Sequence, residues 1–162
     1  MTGENGPQTG GTGWVPGVRL AVDVGTVRVG VARSDPAGVL ATPLATLARD
    51  QSAAKGRVPS DMSELARLVH DHQVVEVVVG LPVTLAGVEG LAAAHARAYA
   101  QRLAQVVAPV PVQLADERMS TAVAARRLSE RGVRGRRQRA VVDQAAAVEI
   151  LQSWLDLQRR RT

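Results

Sequence analysis

The stretch that most constrains this chain is Val74-Val75-Glu76-Val77-Val78-Val79. Five of its six residues are β-branched, and it lacks the apolar/polar alternation of a half-exposed strand. Such a run reads as an interior parallel strand covered on both faces. Parallel strands need crossovers, and helical patterns lie on either side. Upstream, Ser60 or Asp61 can cap a helix with Met62, Leu65, Ala66 and Val69 on one face and His72 near its end. Downstream, Ala92, Tyr99, Leu103 and Val106 share a helical face, and Val110–Ala115 reads as another strand. Nearer the start, Leu20–Val24 and Val29–Ala32 read as a hairpin. Asp35-Pro36-Ala37-Gly38 is a turn, and Val39-Leu40-Ala41 with Pro43-Leu44 suggests a short edge strand. The expected class is α/β: three layers, with a central mixed five-stranded sheet flanked by helices. Residues 1–17 read as a flexible leader with Trp14 packed on the body, 18–158 as one domain and 159–162 as a basic tail. Arg49–Pro59 is polar and aperiodic, so it reads as a mobile surface loop.

Composition narrows the function. The chain carries a formal charge of +5 and a pI near 11.1. Lys55 is its one lysine, so the positive charge is arginine, whose planar fork suits phosphate. A GC-rich genome produces the same bias. Phe is absent, and Trp14, Tyr99 and Trp154 are the only aromatics, which disfavours base-stacking RNA modules. Without cysteine there are no disulfides and no thiolate metal sites. No apolar run reaches membrane-spanning length, and the Gly-rich start is unlike a secretory signal, so a soluble cytoplasmic protein is expected. His70 and His72, two apart on a helix, face different ways and do not form a metal pair.

Three carboxylate positions resist explanation as solvated surface. Asp23 lies within the first strand, where a buried charge needs a partner or a cation. After it, Gly25 leaves the backbone open to a ligand and Thr26 offers a hydroxyl. From this segment alone Asp23 is equally a turn residue closing the strand. Asp116-Glu117 follows the last strand. Asp143 shares a helical stripe with Ala147, Ile150 and Trp154, which puts it on the buried side of the final helix. With the first and last strands near the sheet centre, these acids can converge at one strand end. Clustered carboxylates with hard oxygen donors suit Mg²⁺ or Mn²⁺. Two such ions about 4 Å apart would support phosphodiester cleavage.

Four blocks carry a specific resemblance: Leu20–Ala32 (LAVDVGTVRVGVA), Val78–Gly90 (VVGLPVTLAGVEG), Asp116–Thr121 (DERMST) and Val141–Asp156 (VVDQAAAVEILQSWLD). In order and spacing they resemble the signature blocks of the YqgF/RuvX family, from Arg19 to Leu157. These are small bacterial proteins with an RNase H-like fold, described as Holliday junction resolvases and as nucleases maturing the 5′ end of 16S ribosomal RNA. The resemblance implies a divalent-metal nuclease leaving a 5′-phosphate and a 3′-hydroxyl. Its catalytic, metal-binding acids would be Asp23, Glu117 and Asp143. Adjacent strand residues face opposite ways, so one of Asp116 and Glu117 should enter the site, and the resemblance selects Glu117. The chain departs from the family at Val27, where lysine is frequent, at Thr84, Ala86 and Val88 in the glycine loop, and at Val123 and Ala125. These positions touch substrate contacts and no proposed metal ligand.

The nucleic-acid contacts expected are Gly25, Thr26, Arg28 and Arg118, with Arg126, Arg134, Arg136, Arg137 and Arg139 from a basic run that also holds Arg127 and Arg131. Such contacts hold the phosphate backbone without reading sequence, which suits a branched DNA or a structured rRNA precursor. A homodimer would suit a four-way junction. Two other classes compete. Asp-x-Gly-Thr also opens the phosphate strand of actin-like and sugar-kinase ATPases, but those need two lobes. A non-catalytic RNA- or ribosome-binding module would carry the acids as relics.

Overall fold

The computed structural model describes residues 14–52, 54–117 and 136–161, and at 136–138 the backbone only. The strands are β1 (Val18–Val24), β2 (Arg28–Ser34), β3 (Ala41–Ala48), β4 (Val74–Leu81) and β5 (Val112–Asp116). The helices are α1 (Ser60–Asp71), α2 (Leu91–Val107) and α3 (Arg136–Arg160). The sheet order is β3-β2-β1-β4-β5. β1 pairs antiparallel with β2 and parallel with β4, so it is the central strand and the sheet is mixed. The valine-rich β4 is interior, as its composition demands. β5 is the edge strand, which corrects the expectation that first and last strands share the centre.

Alternation along the strands builds two unequal cores. Leu20, Val22, Val29, Val31, Val77 and Val79 face α1 and α2, where they meet Met62, Leu65 and Leu103. The opposite face presents Ala21, Ala32, Ala41 and Val78 to Ala147, Ile150, Leu151 and Leu155 of α3. Small residues on that face let α3 lie close to the sheet. Leu151 and Leu155 are fully buried there, each contributing about 1.5–3 kcal/mol of apolar burial. Trp14 packs on Trp154 with ring centroids 6.4 Å apart, and the Arg19 guanidinium covers it.

Three local expectations change. The α1 cap is Pro59, with no side-chain capping bond, because Asp61 turns into the protein instead. Its Oδ2 accepts the Tyr99 hydroxyl at 2.6 Å and its Oδ1 the Asp50 N–H at 3.1 Å. The α2 stripe is Ala93, Ala96, Tyr99, Ala100, Leu103 and Val107, so Tyr99 and Leu103 stand as expected while Ala92 is exposed and Val106 half-buried. The polar 49–59 segment is pinned at both ends: Arg49 N–H donates to the Val27 carbonyl, and Asp50 accepts the N–H of Ser60 and Ser52. Those bonds hold the Asp50 carboxyl down to about 2. Ser120 also has the residue type to cap a short helix through Leu128, a stretch that lies outside the described residues.

Burial, with the Asp61 carboxylate beside it, pushes the Tyr99 phenol well above its ordinary value. The folded chain therefore keeps this proton where the unfolded chain loses it. Stability from the pair is intact below about pH 10 and drains away as pH rises further. Tyr99 is the only tyrosine, so tyrosinate absorbance reports the event cleanly. Tyr99→Phe should lose about 1–3 kcal/mol at neutral pH by leaving Asp61 Oδ2 without its donor. It should also flatten the alkaline limb. Denaturant melts at about pH 7 and from about pH 9 to 12 test both, and an unchanged alkaline limb refutes the assignment.

Candidate active site

The alternation that sends Ala21 toward α3 sends Asp23 the same way, at the carboxyl end of the central strand. Asp23 is flanked by two glycines. Gly30 is its cross-strand partner on β2, and the Val22–Val79 pair, continued by one residue, sets Gly80 of β4 on its other side. Both glycines are places where a side chain would collide with another acid. A Cβ on Gly30 would lie 2.2 Å from the Asp143 carbonyl oxygen. A Cβ on Gly80 would lie 2.1 Å from Glu117 Oε1. Asp23 thus sits between Glu117 and Asp143 on the α3 face, and the missing side chains make the room.

Glu117 continues the β4–β5 ladder, its N–H donating to the Leu81 carbonyl at 3.0 Å. It shares the parity of Ala115, which packs toward α3. Asp23, Glu117 and Asp143 are 2, 6 and 4 % exposed, whereas Asp116 faces solvent. Among the described residues no three His, Cys, Asp or Glu side chains are grouped closely enough to hold one ion. The donors stand to either side of Asp23 and do not form one cage. Their hard-oxygen chemistry suits a divalent cation held by neighbouring carboxylates.

Of the three acids, Asp143 is the one that lines a hollow. Its Oδ2 accepts Arg28 Nε at 2.7 Å, and both line a cavity of about 200 Å³ with Gly25, Thr26, Val27 and Arg139. Four of the expected nucleic-acid contacts, Gly25, Thr26, Arg28 and Arg139, therefore share one hollow. Arg28 has a second role that the sequence reading did not assign, balancing the Asp143 charge. With that charge matched, Arg139 leaves the hollow net positive, and among the described residues its Nε meets no acceptor. Asp23 and Glu117 do not line this cavity; they lie in the packed layer beside it. The Gly25–Arg28 turn is closed by Gly25 N–H to the Arg28 carbonyl at 2.9 Å. Arg49 holds it from behind through the Gly25 carbonyl, and Gln51 through the Thr26 carbonyl. Sequence reasoning missed Arg49 and Gln51 because nothing in an aperiodic loop marks its partners. It missed the spacing role of Gly30 and Gly80 too, although glycine inside a β-branched strand signals a close approach. Arg118, Arg126, Arg127, Arg131 and Arg134 lie outside the described residues; Arg136 and Arg137 open α3, their side chains likewise outside.

Residues 17–157 match the family model described as RuvX: Holliday junction resolvase. The chain belongs to the RuvX family. A relative from Rhodococcus erythropolis, named "Putative pre-16S rRNA nuclease", is 53 % identical over 140 residues, 86 % of this chain and 78 % of its own length. One of the same name from Frankia casuarinae is 56 % identical over 142 residues, 88 % of this chain and 68 % of its own. Among solved structures, T. thermophilus RuvC in complex with a Holliday junction substrate aligns with TM-score 0.50 at 15 % identity, covering 90 % of this chain and 97 % of that one. At that identity the likeness speaks for the fold, the RNase H-like α/β sheet. Among the described residues of this RuvX chain, no helix is long and apolar enough to cross a membrane.

Proposed function

We propose that this RuvX protein is a divalent-metal nuclease acting on structured nucleic acid, a precursor of 16S ribosomal RNA or a branched DNA. The observation carrying the reading is the placement of Asp23 between Glu117 and Asp143, beside an arginine-lined hollow. The names borne by the relatives favour the rRNA precursor, and the family description favours the junction. Asp23, Glu117 and Asp143 would hold Mg²⁺ or Mn²⁺, which supplies a nucleophile at neutral pH and offsets charge on the leaving oxygen. Arg28 holds the Asp143 carboxylate in place by donating Nε–H to its Oδ2. Arg139 and the Thr26 hydroxyl receive the phosphate, with Gly25 presenting no side chain beside them. Contacts of this kind fix position on a backbone without reading bases, so recognition is of shape. Junction cleavage would pair two active sites through a two-fold axis, whereas a single site suffices for an RNA end.

The test presents a four-way DNA junction and a 16S precursor leader to the purified chain with Mg²⁺, Mn²⁺ or EDTA. Metal-dependent cleavage of either, leaving a 5′-phosphate and stopped by EDTA, is the expected result. Cleavage that survives EDTA overturns the metal mechanism. Tight binding with no cleavage under any metal makes the chain a binding module.

A further inference from the structure

A second and larger cavity, about 390 Å³, lies between α1, α2 and the Arg49–Gln51 segment. Its lining includes Arg49, Arg102, His95 and Tyr99 together with Asp50 and Asp61. The two carboxylates are already turned onto the fold's own donors. Asp50 accepts N–H groups of Ser52 and Ser60, and Asp61 accepts the Asp50 N–H and the Tyr99 hydroxyl. The arginines are not matched in this way. Arg49 donates to the Gly25 carbonyl and lies 5.2 Å from the Tyr99 ring centroid. Arg102 donates to the Arg57 carbonyl. Among the described residues neither makes an ion pair, and a guanidinium has five N–H groups. The two aspartates balance the two arginines in charge, but the carboxylates are bonded within the fold while most of the guanidinium N–H groups are not, and those spare donors are what an anion would take.

Arg49 places this cavity relative to the acids. It lines this cavity beside the Tyr99 ring and donates to the carbonyl of Gly25, which lines the smaller hollow, so one side chain links the two. From this juxtaposition we infer that the Arg49–Arg102 cavity is a second phosphate subsite. It receives the backbone of the bound nucleic-acid strand where that strand passes over the Gly25–Arg28 turn, away from the acidic site. The inference rests on the nuclease reading, since it takes its ligand from the same substrate.

Arg102 is exposed on α2 and contributes no core packing, which makes it the residue to change. Binding of a fluorescent four-way junction and of a hairpin RNA to the full chain is measured in EDTA, across a range of salt. Arg102→Gln should weaken binding about five- to tenfold and lower the slope of log K against log [salt] by about 0.7–0.9, the value of one phosphate contact. The control is Arg67→Gln, which removes the same charge from an arginine already paired with Glu64 and Asp71. It should stay within about twofold of wild type, as exposed ion pairs contribute little. Arg102→Gln indistinguishable from Arg67→Gln, in affinity and slope, overturns the subsite alone. A wild-type chain that binds neither nucleic acid overturns the nuclease reading and the subsite together.

Discussion

Asp23→Asn should reduce metal-dependent cleavage by at least about a thousandfold, roughly 4 kcal/mol of transition-state stabilisation, while leaving a folded chain. Asparagine matches aspartate in shape but cannot carry the charge that draws a divalent cation. Position makes Asp23 the most sensitive of the three acids. Glu117 and Asp143 lie on opposite sides of it, over Gly80 and Gly30, so a cation held by either flank would involve the central carboxylate. Stability should change by no more than about 1 kcal/mol, because the shape of the buried side chain is kept. For a chain of this size that is a Tm within about 3 °C of wild type. Nucleic-acid affinity in EDTA should hold or rise, because Arg28 and Arg139 remain and one negative charge near the phosphate is gone. Cleavage within tenfold of wild type, in protein freed of contaminating nuclease, removes Asp23 from the mechanism.

The legible parts of this molecule are those that a period or a composition dictates. β4 could be placed as an interior strand because Val74–Val79 admits no exposed face. Asp143 could be placed on the buried side of α3 because its spacing to Ala147 and Ile150 is helical. The choice of Glu117 over Asp116 needed the family resemblance, since alternation says only that one of them faces inward. Lateral order was less accessible. β5 lies at the edge because β4 pairs with β1 on one side and with β5 on the other, and no local pattern within Val112–Asp116 states that. Asp61 illustrates the same limit. At the start of α1 it has the residue type of a cap, yet a tertiary partner 38 positions away, Tyr99, takes its carboxylate into the core. The site's glycines were visible, but their purpose depends on what crosses above them, and that is a property of α3 docking.

The two glycines should separate stability from activity. At Gly30 the added methyl would meet backbone, 2.2 Å from the Asp143 carbonyl oxygen and 2.6 Å from its carbon. A helix backbone cannot turn aside as a side chain can. α3 is also fixed along the same sheet face by Ala147, Leu151 and Leu155, so it must lift as a unit. Gly30→Ala should therefore destabilise by about 3 kcal/mol, the upper range for overpacking a close-packed interior. A gain of about 0.4–1 kcal/mol from a stiffer unfolded chain offsets only part of it. At Gly80 the methyl would meet the ends of two side chains, Glu117 Oε1 at 2.1 Å and Ile150 Cδ1 at 2.7 Å. Both can rotate, so Gly80→Ala should cost about 1 kcal/mol in stability. The rotation carries the Glu117 carboxylate away from Asp23, and cleavage should fall about a hundredfold, since misplacement of about 1 Å has that scale of effect. Urea melts and single-turnover cleavage on both variants decide the matter. A Gly80→Ala chain with full activity removes Glu117 from the site. A Gly30→Ala chain as stable as wild type means that α3 does not rest against β2 at this distance, and the route by which Asp143 reaches Asp23 fails with it.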